Sequence, residues 1–517
     1  MRKETILALV ALGLGSLLLA QDLTALNVAL PSIERDLNID LTTAQWVVNA
    51  YLLVYGMLIV TGGRLADELG RRRVFLAGAV IFAGMSLLAG FAPSVPWLIA
   101  ARALMGIGAG LMLPALTGMD YAALPAQRAE LAGGVNVGAY GVGMAIGPMI
   151  GGALTELAGW RWIQFVNVPI AALVMFGVWR AIPSDPRGSH PGIDYAGIVT
   201  LSASLVSLLF ALDQASSWGW GDWRILLSLA LAIVFGAIFV LVERRAGAAA
   251  LVPGDILRIP GVALPCLLRV LMAPAYVALV LYLPQIMQKL MGFSPLQSGV
   301  GMLPMLGGYA VVAFLVGSLA RRISDRVAIV AGMAGMALGT FLLSRFDVAA
   351  GYSGLVVGMV LMGIGLGLFQ PASVTDAVKA DSQGRKSLAG GLVLMFQFVG
   401  GAIGLGLTTS IVASSQHAAV SDHLASLGVA LPAAQRDALD SMLAGTASAQ
   451  RVLAQFDPAV GQRLLTIAGD AFAAGVQAGL RLDAVIVAIG AVLAVVFLGR
   501  VKQAAPRPTV SRPVPRR

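Results

Sequence analysis

Runs of about 20 apolar residues, the length that crosses a bilayer's hydrocarbon core as a helix, recur along this chain from end to end. They fall near residues 4–30, 44–63, 74–92, 97–118, 133–155, 165–182, 194–213, 225–242, 260–284, 296–317, 327–344, 354–373, 388–412 and 476–498. A segment in lipid has no water to satisfy its backbone, so it closes its hydrogen bonds within itself. The expected fold is all-α and integral to the membrane, with 14 transmembrane helices. Composition points the same way: 58% of residues are hydrophobic and 12% charged, against roughly 25% charged in soluble domains. A net charge of +9 in such a chain sets topology and does not bind nucleic acid. The first run also has the look of a secretory leader. However, Leu18-Leu19-Ala20 offers one small residue where cleavage wants two, and the run continues past it.

An even number of crossings puts both termini on one side. Of the 35 Lys and Arg residues, 24 lie in the ends and loops of that side, including Arg71, Arg72, Arg73, Arg244, Arg245 and the tail from Arg500. Positive charge stays inside, so both termini are expected in the cytoplasm of a bacterial-type plasma membrane. The lone cysteine, Cys266, lies within an apolar run, and His190, His417 and His423 lack ligand spacing. Neither a disulfide nor a metal site is expected. No GxxxxGK[ST] phosphate loop occurs, which argues against a nucleotide-driven pump. No nucleophile–base pair appears either, so an enzyme is not expected.

The chain also repeats itself. "MGIGAGLMLPA" at 105–115 returns as "MGIGLGLFQPA" at 362–372, "LAGG" at 131–134 returns at 388–391, and "AIG" at 145–147 returns at 402–404. Three words in one register imply duplicated halves. The expected units are an N-terminal six-helix half (1–183), two inserted helices (184–258) and a C-terminal six-helix half (259–499). The last carries an extracytoplasmic loop at 413–475, and a basic tail follows at 500–517. Within the loop, residues 433–456 read as a short amphipathic helical pair on the outer surface. The Pro/Arg-rich tail reads as disordered, suited to anionic lipid.

Charge inside the apolar runs is the next constraint. Asp22 interrupts the first run and Arg102 the fourth. With helix 1 ending outward near Pro31 and helix 4 starting near Pro96, the two lie roughly 13 Å and 9 Å from the same face at 1.5 Å per residue. Neither is tolerable alone in hydrocarbon, and together they can pair. Beside the arginine the carboxylate keeps its charge; with the arginine withdrawn and the site dry it takes a proton. A static pair fixing helices 1 and 4 is the competing reading.

Several stretches carry a family resemblance. "DLTALNVALP" at 22–31, "GGRLADELGRRR" at 62–73, "AARALMGIGAG" at 100–110, "GMAIGPMIGG" at 143–152, "WRWIQFVNVP" at 160–169 and "FSPLQSGVGMLP" at 293–304 together resemble the fourteen-helix drug:proton antiporters of the major facilitator superfamily (EmrB/QacA type). The resemblance covers nearly the whole chain. It implies a proton-driven exporter of amphipathic small molecules working by alternating access, with substrate bound between the halves at mid-membrane and no cofactor beyond the proton gradient. Membrane lipid and protons are the other expected partners, and the chain is expected as a monomer.

The same resemblance implies roles for residues. Asp22 is the proton acceptor and Arg102 its modulator; where the family often has glutamine three residues after this arginine, this chain has Met105. Gly63, Asp67, Gly70 and Arg71 form a cytoplasmic gate between helices 2 and 3, or else a basic loop that only sets topology. The matching loop at 317–326 has Arg321 where the alignment wants an acid. Gly143, Gly147, Pro148, Gly151 and Gly152 form the antiporter motif of helix 5, whose small residues also suit plain helix packing. Substrate contacts are expected among Gln45, Asn49, Tyr140, Tyr276, Tyr282, Phe396 and Gln397. Arg269, nine residues into helix 9, either snorkels to the interface or meets an anionic headgroup. A dedicated exporter of one metabolite, siderophore or lipid is the rival within transport, and a membrane sensor or scaffold the rival outside it.

Overall fold

The computed structural model describes residues 3–123, 129–183, 194–247, 250, 252, 254–319, 324–380, 386–426 and 458–501. Apart from turns and one 3₁₀ segment, these are helical: α1 (Lys3–Leu37), α2 (Leu41–Leu69), α3 (Arg71–Gly90), α4 (Val95–Ala123), α5 (Ala129–Leu157) and α6 (Arg161–Ala181) form the first half. The inserted pair α7 (Tyr195–Trp218) and α8 (Trp223–Ala246) follows. The second half comprises α9 (Pro260–Lys289), α10 (Pro295–Gly301), α11 (Leu303–Leu319), α12 (Asp325–Leu343), α13 (Ser353–Ala380), α14 (Lys386–Ser426) and α15 (Pro458–Val501). Among the described residues, thirteen helical stretches are long and apolar enough to cross a membrane, α10 and α11 counting as one. The 29-residue α5 makes fourteen. Both ends therefore share one face, called here the N-terminal face.

Packing follows the sequence repeat. In the first half α1 packs on α5 and α6, α4 on α2 and α3, and α3 on α6. In the second half α9 packs on α14 and α15, α13 on α11 and α12, and α12 on α15. Glycines mark the repeated contacts. A Cβ on Gly106 would lie 2.8 Å from the Tyr51 carbonyl, and one on Gly363, 257 positions later, would strike that of Met305. The inserted α7 packs against α14 and α2, while α8 rests mainly on α7. α8 exposes Leu226, Leu227, Ile233, Val234 and Leu241. An apolar outer face of this kind is satisfied only by lipid.

Three expectations are corrected by these elements. α1 does not stop near Pro31 but runs through it to Leu37, because proline costs a helix one N–H and here tertiary contacts hold both flanks. Its overhang is fixed by Asp36, which accepts from Trp160 Nε1 at 3.0 Å and pairs with Arg161 at 2.5 Å. The tenth span is broken at Met302: Pro304 has no N–H for the Val300 carbonyl, and Ser294 with Gln297 starts α10 with a capping box. The 413–475 segment is not a free loop at its ends, since α14 continues to Ser426 and α15 begins at Pro458. The helical pair expected within 433–456 and the basic tail from 502 lie outside the described residues.

Candidate coupling pair and central cavity

Asp22 and Arg102 meet, on α1 and α4, as expected. Arg102 Nη1 lies 2.7 Å from Asp22 Oδ2, with the side chains 1% and 0% exposed. The guanidinium also donates through Nε to the Val47 carbonyl at 3.3 Å and stacks 4.1 Å from the Tyr51 ring centroid. Met105 brings its sulfur to 3.9 Å from Nη1. The other carboxylate oxygen accepts from Asn167 Nδ2 of α6 at 2.9 Å. Asn167 in turn accepts from Gln21 Nε2 at 2.6 Å and donates to Ser86 Oγ at 3.1 Å. Five helices, α1, α2, α3, α4 and α6, thus meet in one network around this carboxylate. Gln21, Ser86, Tyr51 and Asn167 were missed as site residues. Asn167 sits inside the quoted stretch 160–169, one turn after Gln164 near the start of α6, and these two amides entering an apolar run were the available signal.

The α5 motif is what brings α1 close. A Cβ on Gly143 would lie 2.6 Å from the Leu17 carbonyl, one on Gly147 2.8 Å from that of Gln21, and one on Gly151 would strike Ala25. Spaced by four, these glycines form one stripe into which α1 settles, and Thr24 Oγ1 donates to the Met144 carbonyl at 3.3 Å. Gly152 and Pro148 face the opposite half: a Cβ on Gly152 would strike the Pro295 carbonyl, and one on Gly299 that of Pro148. The motif therefore joins α5 both to the coupling helix and, through α10, to the second half.

At the α2–α3 turn Gly70 has φ +95°, a value that lets one residue reverse the chain between two helices. Arg71 then donates from Nη1 to the Gly118 carbonyl near the end of α4 at 2.9 Å. A Cβ on Gly63 would stand 3.6 Å from Pro114, also on α4. These three thus tie elements within the first half. The Asp67 side chain and the matching loop with Arg321 lie outside the described residues.

Between the halves lies a cavity of about 390 Å³. Tyr140, Arg269, Tyr276 and Gln397 line it, with Tyr309, Gln370, Phe398, Val277 and Val280. Its wall reaches Thr117 and Thr375, toward the N-terminal face ends of α4 and α13. The remaining expected contacts sit elsewhere. Gln45 Nε2 donates to Tyr282 Oη at 3.0 Å and its Oε1 accepts from Thr409, closing the halves together. Phe396 packs with the Val262, Ala377 and Leu392 cluster, and Asn49 is buried off the cavity wall.

On the far face the halves are also held by Glu34 and Lys289, 2.6 Å apart with side chains 0% and 3% exposed. Gln285 donates to Glu34 at 3.2 Å, and Gln288 to the Val28 carbonyl at 2.8 Å. The two halves are thus joined on the far face. Glu34 and Asp483, buried carboxylates not foreseen from sequence, both lie off the cavity wall.

Comparison with known proteins agrees with this build. The family model described as Major Facilitator Superfamily matches residues 12–405. The puromycin resistance protein pur8 of Streptomyces alboniger is 35% identical over 428 residues, covering 80% of this chain and 83% of its own. The tetracenomycin C resistance and export protein of Streptomyces glaucescens is 33% identical, covering 78% and 76%. The multidrug resistance protein Stp of Mycobacterium tuberculosis (strain CDC 1551 / Oshkosh) is 31% identical, covering 82% and 79%. Among solved structures, a bacterial homologue of the human lysosomal transporter Spinster, inward-facing and unoccupied, superposes with TM-score 0.65 at 16% identity. The match covers 98% of this chain and 100% of that one. The chain belongs to the Major Facilitator Superfamily and is a multi-pass membrane transporter, not an enzyme.

Proposed function

We propose that the protein exports amphipathic small molecules of the drug or antibiotic kind in exchange for protons, with both termini in the cytoplasm. The observation that carries this is the Asp22–Arg102 pair, fully buried within the first half, one residue along α1 from Leu23 on the wall of the cavity between the halves. A desolvated carboxylate cannot stay charged without its partner. Any movement that draws α4 from α1 therefore invites a proton, and any that restores the pair expels it. Because α1 also leans on the α5 motif, which touches the second half through α10, closing and opening the halves is mechanically tied to that pair. Relatives named for puromycin, tetracenomycin C and multidrug resistance support a substrate of this kind, and the lysine–arginine bias supports the orientation.

The test uses inside-out proteoliposomes with an acidified lumen, following lumenal pH together with uptake of ethidium and of fluorescein. Wild type is expected to accumulate at least one dye while the lumen loses protons, and Asp22→Asn to abolish both. Uptake by Asp22→Asn equal to wild type, or dye uptake with no proton loss, refutes the proposal.

A further inference from the structure

Arg269 lies on α9 with 1% exposure, yet it lines the central cavity. Its Nε donates to Ser373 Oγ at 2.9 Å and its Nη1 to Gln370 Oε1 at 3.2 Å and to Gln397 Oε1. Its Nη2 donates to the Gln370 carbonyl at 2.5 Å, and its guanidinium stands 5.4 Å from the Phe369 ring centroid. Every one of these acceptors is neutral. Among the described residues, the other deeply buried cations, Arg102 and Lys289, each have a carboxylate within 2.7 Å. Arg269 has none. The described lining of the cavity holds no acidic residue, and the charge of Asp22 is already matched by Arg102.

We infer that the cavity selects amphipathic anions: an apolar body carrying one carboxylate or sulfonate that pairs with Arg269. A buried charge held only by neutral dipoles remains short of its counter-ion, and an anion entering from the N-terminal face supplies it. The guanidinium fork suits a planar carboxylate or a sulfonate through two parallel bonds. The acceptors that must yield, Gln370 and Gln397, are side-chain amides that can swing aside and donate to the anion instead. Tyr140, Tyr276 and Tyr309 then flank an apolar body within about 390 Å³, a volume in the range of small-molecule sites. An organic cation in the same cavity meets the positive charge with no carboxylate on the described wall to offset it. An arginine that merely cross-linked α9, α13 and α14 would need no access to the cavity.

This rests on the cavity being the substrate site of the proposed exporter, but its test needs no proton gradient, so the two readings fail separately. Fluorescein, an anion, and ethidium, a cation, are both three fused rings bearing a phenyl group. Anisotropy titration of each against the purified, detergent-solubilised wild type compares charge at similar size. Fluorescein is expected to bind at least about tenfold tighter. Arg269→Gln is expected to lose about tenfold for fluorescein while leaving ethidium unchanged or tighter, with Arg269→Lys between. Ethidium binding to wild type as tightly as fluorescein overturns the inference, as does failure of fluorescein to bind. The wild-type comparison decides even if Arg269→Gln does not fold. If it folds, as its thermal melt reports, equal loss of both dyes assigns Arg269 a structural role and also overturns the inference.

Discussion

Asn167 shows how much a single amide can carry. One of its Nδ2 protons goes to Asp22 and the other to Ser86, while its oxygen accepts from Gln21. Asn167→Leu would leave one buried carboxylate oxygen without a donor, a loss of about 1–3 kcal/mol. It is expected to lower the melting temperature of the solubilised protein and to weaken dye-driven proton release. The same substitution in an Asp22→Asn background is expected to cost measurably less, because the two groups share one network and their effects do not add. Additive melting shifts would mean that Asn167 acts on packing alone. At this scale the pair Asp22–Arg102 was legible in the sequence, since two charges in apolar runs have few ways to be satisfied. Its second contact was not. An asparagine costs far less in a helix bundle than an ion, so sequence alone gives it no obligatory partner. The same holds for Gln45 and Tyr282, read from sequence as substrate contacts and found bonded to each other across the halves.

At the scale of elements, α5 contrasts two kinds of glycine. Gly138 has nothing within 4 Å of where a Cβ would stand, whereas a Cβ on Gly151 would meet the backbone carbonyl of Ala25. Backbone cannot swing aside as a side chain does, so α1 itself would have to move. Gly151→Ala is therefore expected to destabilise by about 1–3 kcal/mol and to uncouple proton movement from dye uptake. Gly138→Ala should be neutral or mildly stabilising, because alanine is the better helix former. Equal melting temperatures for the two variants would refute the close-packing account of the motif. The spacing of these glycines was visible in the sequence; that three of them face α1 while Gly152 faces α10 was not, because helix rotation is set by the partner. The break at Met302 has a similar cause. Gly299, Gly301 and Pro304 mark a weak point, but only the fit of Gly299 against the Pro148 carbonyl decides that α10 tilts off there. The fourteen crossings were legible because lipid leaves the backbone no alternative. The overhang of α1 was not, since its last residues are fixed by Asp36 and Arg161 outside any apolar pattern.

For the whole molecule, the question is what holds the halves closed on the far face while the cavity reaches toward the N-terminal face. Apolar contacts such as Gly152 on Pro295 can re-form in many registers, whereas Glu34 and Lys289 satisfy each other only when α1 and α9 stand as they do here. The pair is nearly dry, with Glu34 fully buried, so removing Lys289 leaves Glu34 either to bear an uncompensated charge or to take a proton, at a cost of up to about 3–5 kcal/mol. That cost falls on this arrangement and not on one in which the far face has parted and water reaches Glu34. Lys289→Met is therefore expected to shift the population toward the opened far face, since about 1.4 kcal/mol moves the ratio tenfold. Spin labels at Ser94→Cys and Val348→Cys, exposed positions of the two halves on that face, report it, the one native cysteine being buried. Their distance distribution is expected to gain a longer component in Lys289→Met. Glu34→Gln with Lys289→Met removes both charges and leaves no buried ion, so most of that component should vanish. If both variants instead give the same lengthening, the ion pair acts as an ordinary contact and apolar packing sets the balance between the two arrangements. If neither does, α5 against α10 and Gln45 against Tyr282 suffice to keep the far face shut, and the pair serves only to align α1 with α9.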